Sequence, residues 1–119
     1  MKKILVVEDN ELNRKLFCDI LTYNNFDVAC AVDGIEAYNK IKGSAFDLII
    51  LDIQLPKLDG FSLLKKIKDE NIKTAPIIIT SAYAMDTDKS KAKEFKITHY
   101  ITKPIDINNF VKTVKNILN

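Results

Sequence analysis

Residues 47–60 read Asp47-Leu48-Ile49-Ile50-Leu51-Asp52-Ile53-Gln54-Leu55-Pro56-Lys57-Leu58-Asp59-Gly60. Leu48–Leu51 is apolar at every position, the mark of a strand covered on both faces. The run stops at a carboxylate, Asp52, after which a proline and an Asp-Gly pair turn the chain. A carboxylate at the C-terminal tip of a doubly buried strand stands where open α/β sheets place their chemistry.

The flanking sequence repeats one pattern. Ile4–Val7 is a short apolar run with strand character, ending at Glu8-Asp9-Asn10. Asn10 is suited to cap a helix carrying Leu12, Leu16, Phe17, Ile20 and Leu21 at helical spacing, which Tyr23-Asn24-Asn25 stops. Phe26, Val28 and Cys30 alternate as a second strand. Asp33-Gly34 opens a second helix with Ile35, Tyr38 and Ile41 on one stripe, and Gly43 suits its C-terminal cap. A third helix follows Gly60, with Phe61, Leu64 and Ile67 facing inward. Pro76 opens a strand at Ile77-Ile78-Ile79 that ends at Thr80-Ser81, and a more polar helix is expected from about Met85 to Phe95. A fifth strand lies near Tyr100-Ile101 and ends at Lys103-Pro104. Asp106 then caps a last helix carrying Ile107, Phe110, Val111, Val114, Ile117 and Leu118.

Strand and helix therefore alternate five times. This predicts a single α/β domain, a flavodoxin-like (βα)5 sandwich with a parallel five-stranded sheet. The usual strand order for that pattern is 2-1-3-4-5, which opens a crevice between the C-terminal ends of strands one and three. Glu8, Asp9 and Asp52 fall there.

Composition narrows the function. The chain has 119 residues, room for one ordinary domain, and 47% of them are hydrophobic, so it folds rather than staying disordered. A net charge of +2 gives no general argument for nucleic acid or membrane. No apolar run approaches the roughly 18 residues of a membrane span. Met1-Lys2-Lys3-Ile4 starts like a signal peptide but meets Glu8 and Asp9 too early, so a cytoplasmic protein is expected. Cys18 and Cys30 form no framework and are expected to be small buried residues in a reducing compartment. The last helix ends with the chain, which predicts no output domain.

The strand tips carry the chemical argument. Strand one offers two acids, strand three an acid, strand four a hydroxyl and strand five an amine. Converging carboxylates raise one another's pKa unless a cation sits among them. Mg²⁺ fits such a site, since it takes hard oxygen ligands and is usually held by one or two carboxylates plus phosphate oxygens. An aspartate can act as a nucleophile toward phosphorus, and phosphoryl transfer then needs positioning and charge neutralisation above all. Lys103 can supply a point charge and Thr80 a donor hydroxyl. Taken singly, Asp9 reads equally as a helix cap, Asp52 as a turn residue, Thr80 as a strand-end hydroxyl, and Lys103 as a solvated lysine. Tyr100 alone is a half-buried strand aromatic. Those separate readings do not predict all four tips filled in this way.

Together these residues resemble the receiver domain of bacterial two-component response regulators. The matching stretches are Val6–Asn10, Leu51–Pro56 with Asp59-Gly60, Ile79–Ala82 and Tyr100–Pro104, and the resemblance spans the chain. Glu8–Asn13, Lys15–Phe17 and Asp52–Pro56 resemble single-domain members acting in cell division. The resemblance implies that Asp52 is the phosphoacceptor, with Glu8, Asp9 and the Gln54 backbone carbonyl around Mg²⁺. It implies that Thr80 swings toward the phosphoryl group, that Tyr100 turns inward with it, and that Lys103 is the site amine with a cis bond to Pro104. The implied donor is a phosphohistidine on a histidine kinase or phosphotransfer protein, the response passing through the face of the fourth helix, fifth strand and fifth helix.

On this reading the chain is not an enzyme in its own right, although it assists its own phosphorylation and dephosphorylation. It passes its signal to a downstream protein partner, as a monomer or as a dimer linked to phosphorylation. Lys89, Lys91, Lys93 and Lys96 make the fourth helix basic, either a solvated face or a dock for an acidic partner. No helix is left over to read DNA. The family pattern usually has Gly-Ala where this chain has Ile97-Thr98, and Met where it has Leu55. Three rivals remain. A flavodoxin would need a hydroxyl- and glycine-rich loop after strand one, where Glu8–Glu11 would repel phosphate. An aspartyl-phosphate phosphatase would need an acid where Gln54 stands. A phosphate-independent binding module would not need the full set of site residues.

Overall fold

A computed structural model describes residues 1–82, 86–97 and 99–118. Among these, strands and helices alternate as β1 (Lys3–Val7), α1 (Glu11–Tyr23), β2 (Asp27–Ala31), α2 (Gly34–Gly43), β3 (Leu48–Asp52), α3 (Gly60–Asp69), β4 (Ile77–Ser81), α4 (Asp86–Glu94), β5 (His99–Thr102) and α5 (Ile107–Leu118). The expected start of the fourth helix at Met85, and Thr98 of the altered loop, lie outside the described residues.

The helix starts follow from the residues before them. Asn10, Asp33 and Asp59 each accept the backbone N–H three residues on, from Asn13 (2.9 Å), Glu36 (2.8 Å) and Ser62 (2.9 Å). Asp106 does the same for Asn109 at 3.1 Å. Each such cap satisfies an orphan donor and contributes about 1 kcal/mol. Because each cap follows its strand within a few residues, the loops after β1, β2 and β5 are short.

All five strands are parallel, in the order β2-β1-β3-β4-β5. The flavodoxin-like fold expected from the alternation is the fold observed. Every residue of β3 is buried, as its unbroken apolar run requires. Successive side chains point to opposite faces and divide the core in two. Leu5, Val7, Ile49, Leu51 and Ile79 pack on one side with Ala37, Ile41, Leu63 and Leu64 of α2 and α3. Ile4, Val6, Leu48, Ile50 and Ile78 pack on the other with Phe17 and Leu21 of α1 and Phe110 and Val114 of α5. The Phe17 and Phe110 rings lie 5.2 Å apart at 56°, joining α1 to α5. Burying side chains of this size stabilises by roughly 1.5–3 kcal/mol each.

Several expectations are corrected. Leu12 and Leu16 of α1, Ile35 of α2 and Ile107 of α5 are exposed rather than inward. The sheet covers a narrower arc of each helix than the apolar stripe occupies, and Phe17 and Leu21 already fill that arc on α1. Gly43 does not adopt a left-handed cap. It is the last residue of α2, and the extended Ser44 (φ −148°) ends the helix. The left-handed residues are Asn25, Lys57, Asn71 and Lys96 instead. Phe26 precedes β2, since its N–H bonds Leu21 rather than the ladder. Cys18 and Cys30 are half-buried, not fully buried, and their Sγ atoms lie 2.6 Å apart.

Candidate functional site

In a parallel sheet every strand ends on the same edge. Here the ladder continues just past the strand ends. Glu8 N–H donates to Ala31 O (3.0 Å), Ile53 N–H to Thr80 O (3.3 Å), and Lys103 N–H to Ser81 O (2.7 Å). These bonds hold the residues after β1, β3 and β5 in line. The Lys103–Pro104 peptide is cis.

Lys103 is the meeting point. Its Nζ donates to Glu8 Oε1 and, at 3.0 Å, to Asp52 Oδ2. The other oxygen of each acid is also used. Asp52 Oδ1 accepts the Gln54 N–H at 2.9 Å, and Glu8 Oε2 accepts the Asn10 N–H at 3.2 Å. Glu8 and Asp52 are only 1% and 2% exposed, whereas Asp9 is exposed. One carboxylate oxygen from each of Glu8, Asp9 and Asp52 lies within 4.8 Å of the others. Three hard oxygen donors, one of them open to water, are the donor set that suits a hydrated divalent cation such as Mg²⁺.

The electrostatics follow from this crowding. Burial pushes Glu8 up to about 7, with the Asp52 charge adding to it and the Lys103 and Asn10 hydrogen bonds opposing it. Burial by itself would pull the Lys103 ammonium down. Its hydrogen bonds to Glu8 and Asp52 outweigh that and hold it above its ordinary value.

The structure thus brings Glu8, Asp9, Asp52 and Lys103 together, with the Gln54 backbone beside Asp52. Thr80 faces Asp52 across the β3–β4 register and is 1% exposed. Tyr100 sits one strand further over, opposite Ile79. It is half-buried, with Lys89 Nζ 5.8 Å from its ring centroid. Burial raises its phenol pKa, and a hydrogen bond with the Ser81 side chain works against that. Lys89, Lys91 and Lys93 of α4 are exposed, and Lys91 Nζ lies 5.4 Å from the Phe61 ring centroid.

Sequence reasoning missed Arg14. Its Nη1 donates to the carbonyls of Glu8 (3.1 Å) and Asp9 (3.2 Å), pinning the acidic loop from α1. It is the chain's only arginine among many lysines, and a single guanidinium Nη carries two N–H donors, enough for both carbonyls. Gly60 was also read only as a turn residue. A Cβ there would come within 2.6 Å of Ile53 Cα and 3.0 Å of Asp52 O, so α3 can start against the Asp52 loop only with glycine.

Residues 4–115 match the response regulator receiver domain family, and the chain belongs to that family. Among curated relatives, the polar-differentiation response regulator DivK of Brucella ovis is 36% identical over 118 residues, which is 98% of this chain and 96% of the relative. Among solved structures, a two-component response regulator from Clostridium difficile superposes with a TM-score of 0.92 at 30% identity, covering 99% of this chain and 96% of its own. The receiver domain of the sensor histidine kinase PA1611 from Pseudomonas aeruginosa PAO1 gives 0.87 at 29% identity over 98% and 97%. It was solved with a magnesium ion coordinated in its active-site cleft.

Proposed function

We propose that this receiver domain takes a phosphoryl group on Asp52 from a phosphohistidine of a sensor histidine kinase or phosphotransfer protein. The observation that carries this reading is the shared ammonium. Lys103 bridges two buried carboxylates, one just after β1 and one at the end of β3, beside a third acid. In the transfer an Asp52 carboxylate oxygen attacks phosphorus, the new P–O bond forms and the P–N bond to the donor imidazole breaks.

Asp52 Oδ1 is oriented by the Gln54 N–H, which leaves Oδ2 as the atom facing Lys103. Lys103 would follow the charge onto the phosphoryl oxygens. Glu8, Asp9, Asp52 and the Gln54 carbonyl would hold Mg²⁺, which when bound supplies neutralising charge on the opposite side of the phosphoryl group. The magnesium in the PA1611 receiver supports that choice of ion. The Thr80 hydroxyl would donate to the phosphoryl group in one of two states and so bias them, with Tyr100 moving in concert. The response would leave through α4, β5 and α5 to a protein partner in the cytoplasm. The DivK name of the relatives favours a role in cell division or polarity.

The test is Mg²⁺-dependent binding of beryllofluoride, an acyl-phosphate mimic. Wild type should bind it and Asp52→Asn should not. Binding that survives the substitution, or that needs no divalent ion, rejects the assignment.

A further inference from the structure

We propose that Cys18 and Cys30 are a redox site, closing into a reversible intramolecular disulfide that ties α1 to the edge strand β2. The inference stands apart from the acidic site. It begins with geometry: the two Sγ atoms lie 2.6 Å apart, from residues twelve apart in sequence and on different elements. A disulfide needs about 2.05 Å, so the sulfurs have roughly half an ångström left to travel. Cys18 lies in the third turn of α1, and Cys30 is the fourth residue of β2. Both belong to the cluster under α1 and α5, so packing already holds them face to face.

Their setting also allows a small oxidant to arrive. Both residues are half-buried rather than sealed, and β2 has no strand on its outer side. Burial and the neighbouring Cys30 push the Cys18 thiol up to about 12, so Cys18 keeps its proton at neutral pH. The first attack is assigned to Cys30, on the edge strand. Its thiolate attacks one sulfur of a low-molecular-weight disulfide, forming a mixed disulfide and releasing one small thiol. Cys18 attacks the Cys30 sulfur, its proton leaving on the second small thiol. Two protein thiols are oxidised, and one external disulfide is reduced to two thiols, so atoms and electrons balance. Proximity makes the second step fast even for a weakly acidic thiol.

The consequence falls on α1. Arg14, one turn before Cys18, holds the carbonyls of Glu8 and Asp9. A cross-link would therefore restrain the helix that braces the acidic loop. Inside a reducing cell such bonds are usually transient and redox-sensing.

The experiment uses the whole reduced chain in native buffer with oxidised glutathione as the probe. The expected result is loss of both titratable thiols and a mass lower by two hydrogens with no glutathione attached. The melting temperature should rise by roughly 10 °C, and all three changes should reverse with dithiothreitol. Cys18→Ser and Cys30→Ser, two variants so that one misfolding does not blind the test, should show no such rise. A stable glutathione adduct on the wild type overturns the proposal. So does a pair of thiols that stays reduced in native buffer and closes only in urea.

Discussion

Replacing Lys103 by methionine keeps most of the stem but deletes the ammonium that Glu8 and Asp52 share. Removing one partner of a buried ion pair costs roughly 3–5 kcal/mol. The lower end is expected here, about 3 kcal/mol, because exposed Asp9 leaves the site open to water. The cost should depend on pH through Glu8. Its folded pKa of about 7 lies above its ordinary 4.5, so the stability tied to its proton is full in acid and is lost as pH rises through about 7. Lys103 is raised above 10.5 and does not titrate in that window. Below about 7, Glu8 is neutral in wild type and variant alike, and the substitution strands Asp52 alone. Above it, wild-type Glu8 ionises against Lys103, while the variant must keep the proton or bury a second lone charge. The gap should widen by up to about 1.4 kcal/mol per pH unit. Urea unfolding with a chelator, at about pH 5.5 and about pH 8.5, measures it directly. A gap that is the same at both values, or smaller at the higher one, refutes the coupling of Lys103 to both acids.

Mg²⁺ should stabilise the wild type by about 1.4 kcal/mol at tenfold its dissociation constant, read as a thermal shift. That affinity should rise with pH up to about 7, since Glu8 must lose its proton before it can ligate; an affinity flat across that range would remove Glu8 from the site. The three glycines should separate cleanly in urea unfolding. Gly34→Ala, whose Cβ would fall 1.8 Å from Leu58 O, and Gly60→Ala, at 2.6 Å from Ile53 Cα, should each lose more than about 2 kcal/mol. Gly43→Ala meets nothing within 4 Å and should gain about 0.5–1 kcal/mol.

Much of the fold could be read without coordinates because it is written in local code. The unbroken run Leu48–Leu51 can only be a strand covered on both faces, and β3 is buried at every position. Asn10, Asp33 and Asp106 announce helix starts, and each accepts the N–H three residues on. Other local signals misled. Leu12 and Leu16 lie at helical spacing with Phe17 and Leu21, yet only the latter pair is buried. Periodicity says which residues share a face of a helix, but not how wide an arc the neighbouring sheet will cover.

The candidate site divides in the same way. The residue types at the strand tips, two acids, an acid, a hydroxyl and an amine, are sequence facts, and with a parallel sheet they must share one edge. The division of labour between Glu8 and Asp9 is not such a fact. Tertiary structure buries the first beside Lys103 and leaves the second in water. Arg14 reaching back to the acidic loop, and the thiols of Cys18 and Cys30 in contact, were equally invisible. Propensity, spacing and capping act over a few residues and are settled by the chain itself. The bond between Lys103 and Glu8 joins residues 95 apart, and such a contact exists only once strand order, register and twist have carried the two ends to the same place.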